Sequence, residues 1–126
     1  MASRQGEPVF VISVAARLLE MHPQTLRKYE REGLIAPSRT SGNLRLYSDR
    51  DIERLRQVKY LVEERGLNLA GVQLALELTQ RLREARGRLG EGSGSGPSGA
   101  SARDACCRDL DTALRLLGMD ESAAPR

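Results

Sequence analysis

Residues 13–47 read SVAARLLEMHPQTLRKYEREGLIAPSRTSGNLRLY, and this stretch decides the fold. Val14, Ala15, Leu18 and Leu19 recur at helical spacing, and Ser13 before them is a side chain able to cap a helix start. The pattern breaks at Glu20 and Met21. Pro23 then supplies the backbone angle favoured at a first helical position, and Leu26 and Tyr29 lie one turn apart on one face. Gly33 stands where a helix commonly ends in a left-handed residue. Two helices of about two turns joined by a tight break make a helix-turn-helix. Beyond Pro37, Ser41-Gly42-Asn43 is a turn signal between two β-capable arms, and a hairpin placed directly after a helix-turn-helix is a wing.

Outward from this stretch the chain is helical. Ser48 and Asp51 form a capping-box start, followed by the stripe Ile52, Leu55, Val58, Leu61 and Val62 and a stop at Gly66. Asn68 can cap a fourth helix with Leu69, Val72 and Leu76 on one face. Leu78, Leu82, Ala85 and Leu89 are spaced 4, 3 and 4, the seam spacing of a coiled coil, with Gly87 weakening the helix. Residues 90–101 hold five Gly, four Ser and a Pro and read as a flexible linker. Ser101 can cap a last amphipathic helix with Cys107, Leu110, Leu114 and Leu117 on one side. The expected organisation is a flexible N-terminal arm (1–9), a winged helix-turn-helix domain (10–78), a short dimerisation helix (79–89), the linker (90–101) and a C-terminal amphipathic helix and tail (102–126). The fold class is mainly α, with one small β-hairpin.

The 126 residues are 40% apolar and 29% charged, which suits one small globular domain plus extensions. No apolar run approaches the ~18 residues of a membrane span, and no signal peptide opens the chain. Two adjacent cysteines make no disulfide framework, so a cytoplasmic location is expected. The net charge of +3 and pI near 9.2 permit nucleic-acid binding. From Arg17 to Tyr47 there are six Lys/Arg against three acids. No nucleophile–base pair, paired carboxylates or phosphate-binding glycine loop is evident, so no enzyme and no cofactor are expected.

Three segments carry a likeness to a known family: Thr25-Leu26-Arg27-Lys28-Tyr29-Glu30, Gly33-Leu34-Ile35-x-Pro37, and Arg45-x-Tyr47-Ser48-x-x-Asp51. In that order and spacing the chain resembles the MerR family of transcription regulators. Met21-His22-Pro23-Gln24-Thr25-Leu26-Arg27 and Asn68-Leu69-Ala70-Gly71-Val72, with Glu77-Leu78 following, resemble its heat-shock repressor branch (HspR). The resemblance implies a dimeric repressor of chaperone operons on an inverted-repeat operator in double-stranded DNA, with the chaperone DnaK as a co-repressor. The chain departs from the family at Lys28, where a Tyr is usual, and at Gly87 and the Gly/Ser stretch, where a long helix is usual.

The second helix is expected in the major groove. There Gln24 can pair with adenine, Thr25 can meet a thymine methyl or a phosphate, and Arg27 can reach guanine or a phosphate. Lys28 suits a phosphate, as does the Tyr29 hydroxyl, with a core-edge role for Tyr29 as the alternative. Arg39 and Arg45 flank the wing turn, where a narrow minor groove or its phosphates would attract them. Tyr47 is placed at the interface chiefly as the hairpin's packing anchor, and Arg17 as a backbone clamp. Glu30 would repel phosphate and more naturally holds an arginine. His22, the one histidine, suits an N-cap or a phosphate contact. Leu78, Leu82, Ala85 and Leu89 are the expected dimer seam. No metal site is expected, since Cys106 and Cys107 project ~100° apart on a helix. Two alternatives remain: an effector-responsive activator of the same family, sensing a metal or drug, and an interaction adaptor that does not read DNA.

Overall fold

The computed structural model describes residues 9–91 and 96–119. Strand β1 (Val9–Val11) runs directly into helix α1 (Ile12–Leu19). Then come α2 (Pro23–Arg31), β2 (Ser38–Arg39), β3 (Arg45–Ser48), α3 (Asp49–Glu63), α4 (Leu69–Glu91) and α5 (Gly96–Leu116). The chain is mainly α with one antiparallel sheet of order β1-β3-β2, and it divides between Tyr60 and Leu61 into two compact units. A single domain with extensions is the simpler expectation from length; the pairing of α4 with α5 creates the second unit.

In the first unit, α1 turns Ala15, Ala16 and Leu19 inward and packs against α2, β1 and β3. It stops at Glu20, which takes the left-handed conformation (φ 55°, ψ 48°). The Glu20 and Met21 amides bond back to the carbonyls of Arg17 (3.2 Å) and Ala16 (2.9 Å). Helix α2 begins at Pro23, as expected, and buries Leu26 and Tyr29. Its end is a Schellman motif: Gly33 (φ 81°) donates to the Glu30 carbonyl and Leu34 to that of Tyr29, both at 3.0 Å. The hairpin pairs Ser38 with Leu46 and Arg39 with Arg45, and Thr40 closes its turn by accepting from the Gly42 and Leu44 amides. The positive φ falls on Asn43, at 68°. The capping box at α3 is reciprocal, with the Asp51 amide on Ser48 Oγ (3.1 Å) and the Ser48 amide on the Asp51 carboxylate (3.0 Å).

Two details at the N-terminus differ from expectation. Val9 belongs to a strand rather than to a loose arm, because β3 offers a free edge on which Val9, Phe10 and Val11 pair with Ser48, Tyr47 and Leu46. Ser13 is not the cap of α1. The strand leads straight into the helix at Val11, no side chain caps it, and Ser13 lies exposed in the first turn. The rest of the expected arm, residues 1–8, lies outside the described residues.

In the second unit Asn68 caps α4, its Oδ1 accepting from the Gly71 amide at 2.9 Å. Helix α4 then continues unbroken through Gly87 to Glu91, so the expected helix 79–89 is the final part of a 23-residue one. Residues 90–91 and 96–101 of the expected linker are helical, and residues 92–95 lie outside the described residues. Packing of α5 on α4 outweighs the cost of these glycines, roughly 1 kcal/mol each inside a helix. Pro97 stands in the first turn of α5, where its missing N–H loses no helical bond. Leu114 is fully buried, Cys107, Leu110 and Leu117 are half-buried, and Gly118 (φ 90°) ends the helix. No described helix is long and apolar enough to cross a membrane.

Gly33 isolates the energetic role of one backbone angle. A Cβ there would meet nothing within 4 Å, so the cost of Gly33→Ala is conformational alone. The variant should lose about 1 kcal/mol of unfolding free energy, read from the urea midpoint at unchanged slope.

Candidate nucleic-acid interface

Helix α2 presents two unlike faces. Leu26 and Tyr29 point into the core, while Gln24, Lys28 and Arg31 are exposed at i, i+4 and i+7, with Thr25 and Arg27 half-exposed beside them. Arg31 completes this basic face and was not singled out in the sequence, although its spacing from Lys28 would have found it. His22 caps the helix: its Nδ1 accepts the Gln24 amide at 3.0 Å, which requires that nitrogen to be unprotonated. Arg17 is exposed in the last turn of α1.

The wing is fastened to α2 by one carboxylate. Glu30 accepts Arg45 Nε at 2.5 Å on one oxygen and Arg39 Nη2 at 2.7 Å on the other. Arg39 also donates to the Asn43 carbonyl and side chain, at 3.3 and 3.4 Å. Burial by itself would raise the Glu30 carboxyl, but the bonds from Arg45 and Arg39 outweigh it and hold the group below its ordinary range. Two guanidiniums against one carboxylate leave the cluster with a net positive charge. Glu30 therefore holds two arginines rather than one, and both flanks of the wing are tied to α2.

The two tyrosines stand behind this surface. Tyr29 is only 7% exposed, and Tyr47 is not exposed at all. The Tyr47 ring lies fully buried in β3. Its hydroxyl is buried with no hydrogen-bond partner among the described residues. Burial, and next the nearby Glu30 charge, push its pKa up.

The expected dimer seam is split. Leu78 is 46% exposed, and Leu74 one turn earlier is 65% exposed. Leu82, Ala85 and Leu89 are half-buried on the helix that packs against α5. Between these helices Arg86 Nε donates to Asp111 at 2.9 Å, and its Nη1 donates to Cys107 Sγ at 3.3 Å. Cys106 is exposed. Among the described residues no three His, Cys, Asp or Glu side chains are grouped to hold a metal ion.

Two variants test this geometry. A carboxyl held below its unfolded pKa stabilises the fold above that pKa, and the contribution vanishes as pH falls through the folded value. Glu30→Gln should thus cost about 1 kcal/mol at pH 7 and progressively less as the pH is lowered past the ordinary carboxylate range, by urea unfolding along a descending pH series. Tyr47→Phe removes an unsatisfied hydroxyl and keeps the ring, so its thermal midpoint should match or exceed the wild type's.

The sequence was compared with known proteins. Residues 10–87 match the family model described as MerR HTH family regulatory protein. The chain is 52% identical over 87 residues to a Streptomyces coelicolor protein named as heat shock protein HspR, covering 69% of this chain and 58% of that one. It is 35% identical over 82 residues to the HTH-type transcriptional regulator GlnR of Bacillus anthracis, covering 65% and 63%. It is 36% identical over 69 residues to the regulator MlrA of Escherichia coli, covering 54% and 28%. The chain thus spans about three fifths of the length of the first two relatives. With the family model matching well over half of its length, the chain belongs to the MerR family of helix-turn-helix regulatory proteins.

Proposed function

We propose that the chain is a sequence-specific, DNA-binding repressor of heat-shock and chaperone genes, working in the cytoplasm as a homodimer on an inverted-repeat operator. One observation carries the DNA-binding part: the face of α2 formed by the exposed Gln24, Lys28 and Arg31 and the half-exposed Arg27 lies on the helix whose Glu30 fixes both wing arginines. A helix and a wing locked together offer a major-groove reader and a flanking phosphate or minor-groove contact in fixed register. Charge supports the same division of labour. Residues 1–60 hold eleven Lys/Arg against seven Asp/Glu, and residues 61–126 hold nine against ten. The heat-shock assignment rests on the similarity to HspR, and DnaK as co-repressor rests on that assignment. The exposed Leu74 and Leu78 are the apolar positions on α4 most open to a second copy.

The deciding experiment is selection from a random duplex pool followed by footprinting. A palindromic site protected on both halves supports the proposal, and binding without sequence preference overturns it. Arg27→Ala should cost roughly 1–3 kcal/mol at the selected site and narrow its advantage over random DNA. Lys28→Ala should weaken both alike and lower the log–log salt slope by about one. Leu78→Asp should bind the selected palindrome more weakly and protect only a half-site. Purified DnaK should raise operator affinity; no change removes it as co-repressor.

A further inference from the structure

Two basic side chains of α3 end on backbone. Lys59 Nζ donates to the carbonyl of Leu19 at 2.9 Å and reaches that of Glu20 at 3.4 Å. Arg54 Nε donates to the carbonyl of Leu34 at 2.6 Å. Leu19 and Glu20 are the C-terminal end of α1, where unpaired carbonyls and the negative end of the helix dipole favour a cation. Leu34 is the first residue past the Gly33 stop of α2. The two contacts therefore bracket α2, one before its first turn and one after its last.

The N-terminal contact falls on the most constrained residue of the motif. Glu20 holds φ 55° without being a glycine, and only Met21 and His22 separate it from the first turn of α2. Such a conformation persists when its surroundings over-determine it. Here the surroundings are the two backward amide bonds of Glu20 and Met21 and the Lys59 ammonium. Helix α2 has nine residues and is marginal alone, so its direction is set by the burial of Leu26 and Tyr29 together with what holds its ends.

We propose that Lys59 and Arg54 are positioning residues, which fix the angle of α2 by holding the backbone on either side of it and neutralise no phosphate. This rests on the DNA-binding function proposed above. It separates these two from the other cations of the first unit: their loss should weaken recognition without changing the number of counterions released on binding.

The test uses the full-length protein and the duplex that the wild type selects. Lys59→Met should lose about tenfold in affinity for that duplex, with the salt slope unchanged and random-DNA binding little altered. Hydrogen exchange at the Met21 amide should quicken, and Lys59→Arg should retain wild-type behaviour. Glu20→Gly in the Lys59→Met background relieves the strained angle and should recover affinity to within about threefold. Glu20→Gln removes the same charge but keeps the strain, and should not. If Lys59→Met fails to fold, Lys59→Gln takes its place. A slope lowered by about 0.9 would make Lys59 a phosphate contact and overturn the proposal, as would unchanged affinity or unchanged Met21 exchange. If the wild type selects no duplex, the DNA-binding function fails, and Met21 exchange alone decides whether Lys59 holds the turn.

Discussion

One carboxylate between two guanidiniums sets the terms for the rest of the first unit. Two guanidiniums on the flanks of one small hairpin repel each other. Strands of two and four residues have little stability of their own. Glu30 offsets the repulsion between Arg39 and Arg45 while leaving the group positive, and it does so from α2 rather than from the hairpin. The wing is consequently ordered by α2. Tyr47 completes the anchorage from beneath, at the cost of a buried hydroxyl without a partner.

Much of this was legible in the sequence wherever the physics is local. The stop at Gly33, the start at Pro23, the Ser48/Asp51 box and the Asn68 cap each depend on groups within five residues, so short motifs specify them. Glu30 lay at the limit of that range. Its repulsion from phosphate said that it should hold an arginine, but only the hairpin register brings both Arg39 and Arg45 within reach. Strand β1 lay beyond it, because three apolar residues form no strand until β3, more than thirty residues later, provides an edge. Lys59 and Arg54 were equally invisible, since a basic residue on a helix looks like solvated surface until the backbone it meets is known.

Composition misled most in the second unit. A Gly/Ser-rich run reads as linker because glycine forfeits backbone entropy in a helix and serine competes for backbone bonds. Those penalties amount to a few kcal/mol and are intrinsic, whereas the burial of Leu114 and the Arg86–Asp111 pair come from the neighbouring helix. Tertiary packing exceeded propensity, and α4 and α5 became a unit of their own.

That outcome constrains how the proposed dimer would work. An α4 that spends much of its apolar surface on α5 has little left for a second copy. Leu74 and Leu78 together offer an area far below the ~800 Å² per partner of a standard stable interface. A weak contact is nevertheless sufficient on DNA. Two copies bound on one inverted repeat, as proposed, would hold their α4 faces at high effective concentration, so a contact too feeble to persist in solution would become a large factor in operator affinity. Selectivity for paired half-sites would then exceed anything that α2 and the wing provide alone. It would also be the first property lost when α4 loosens from α5, since the same helix serves both contacts.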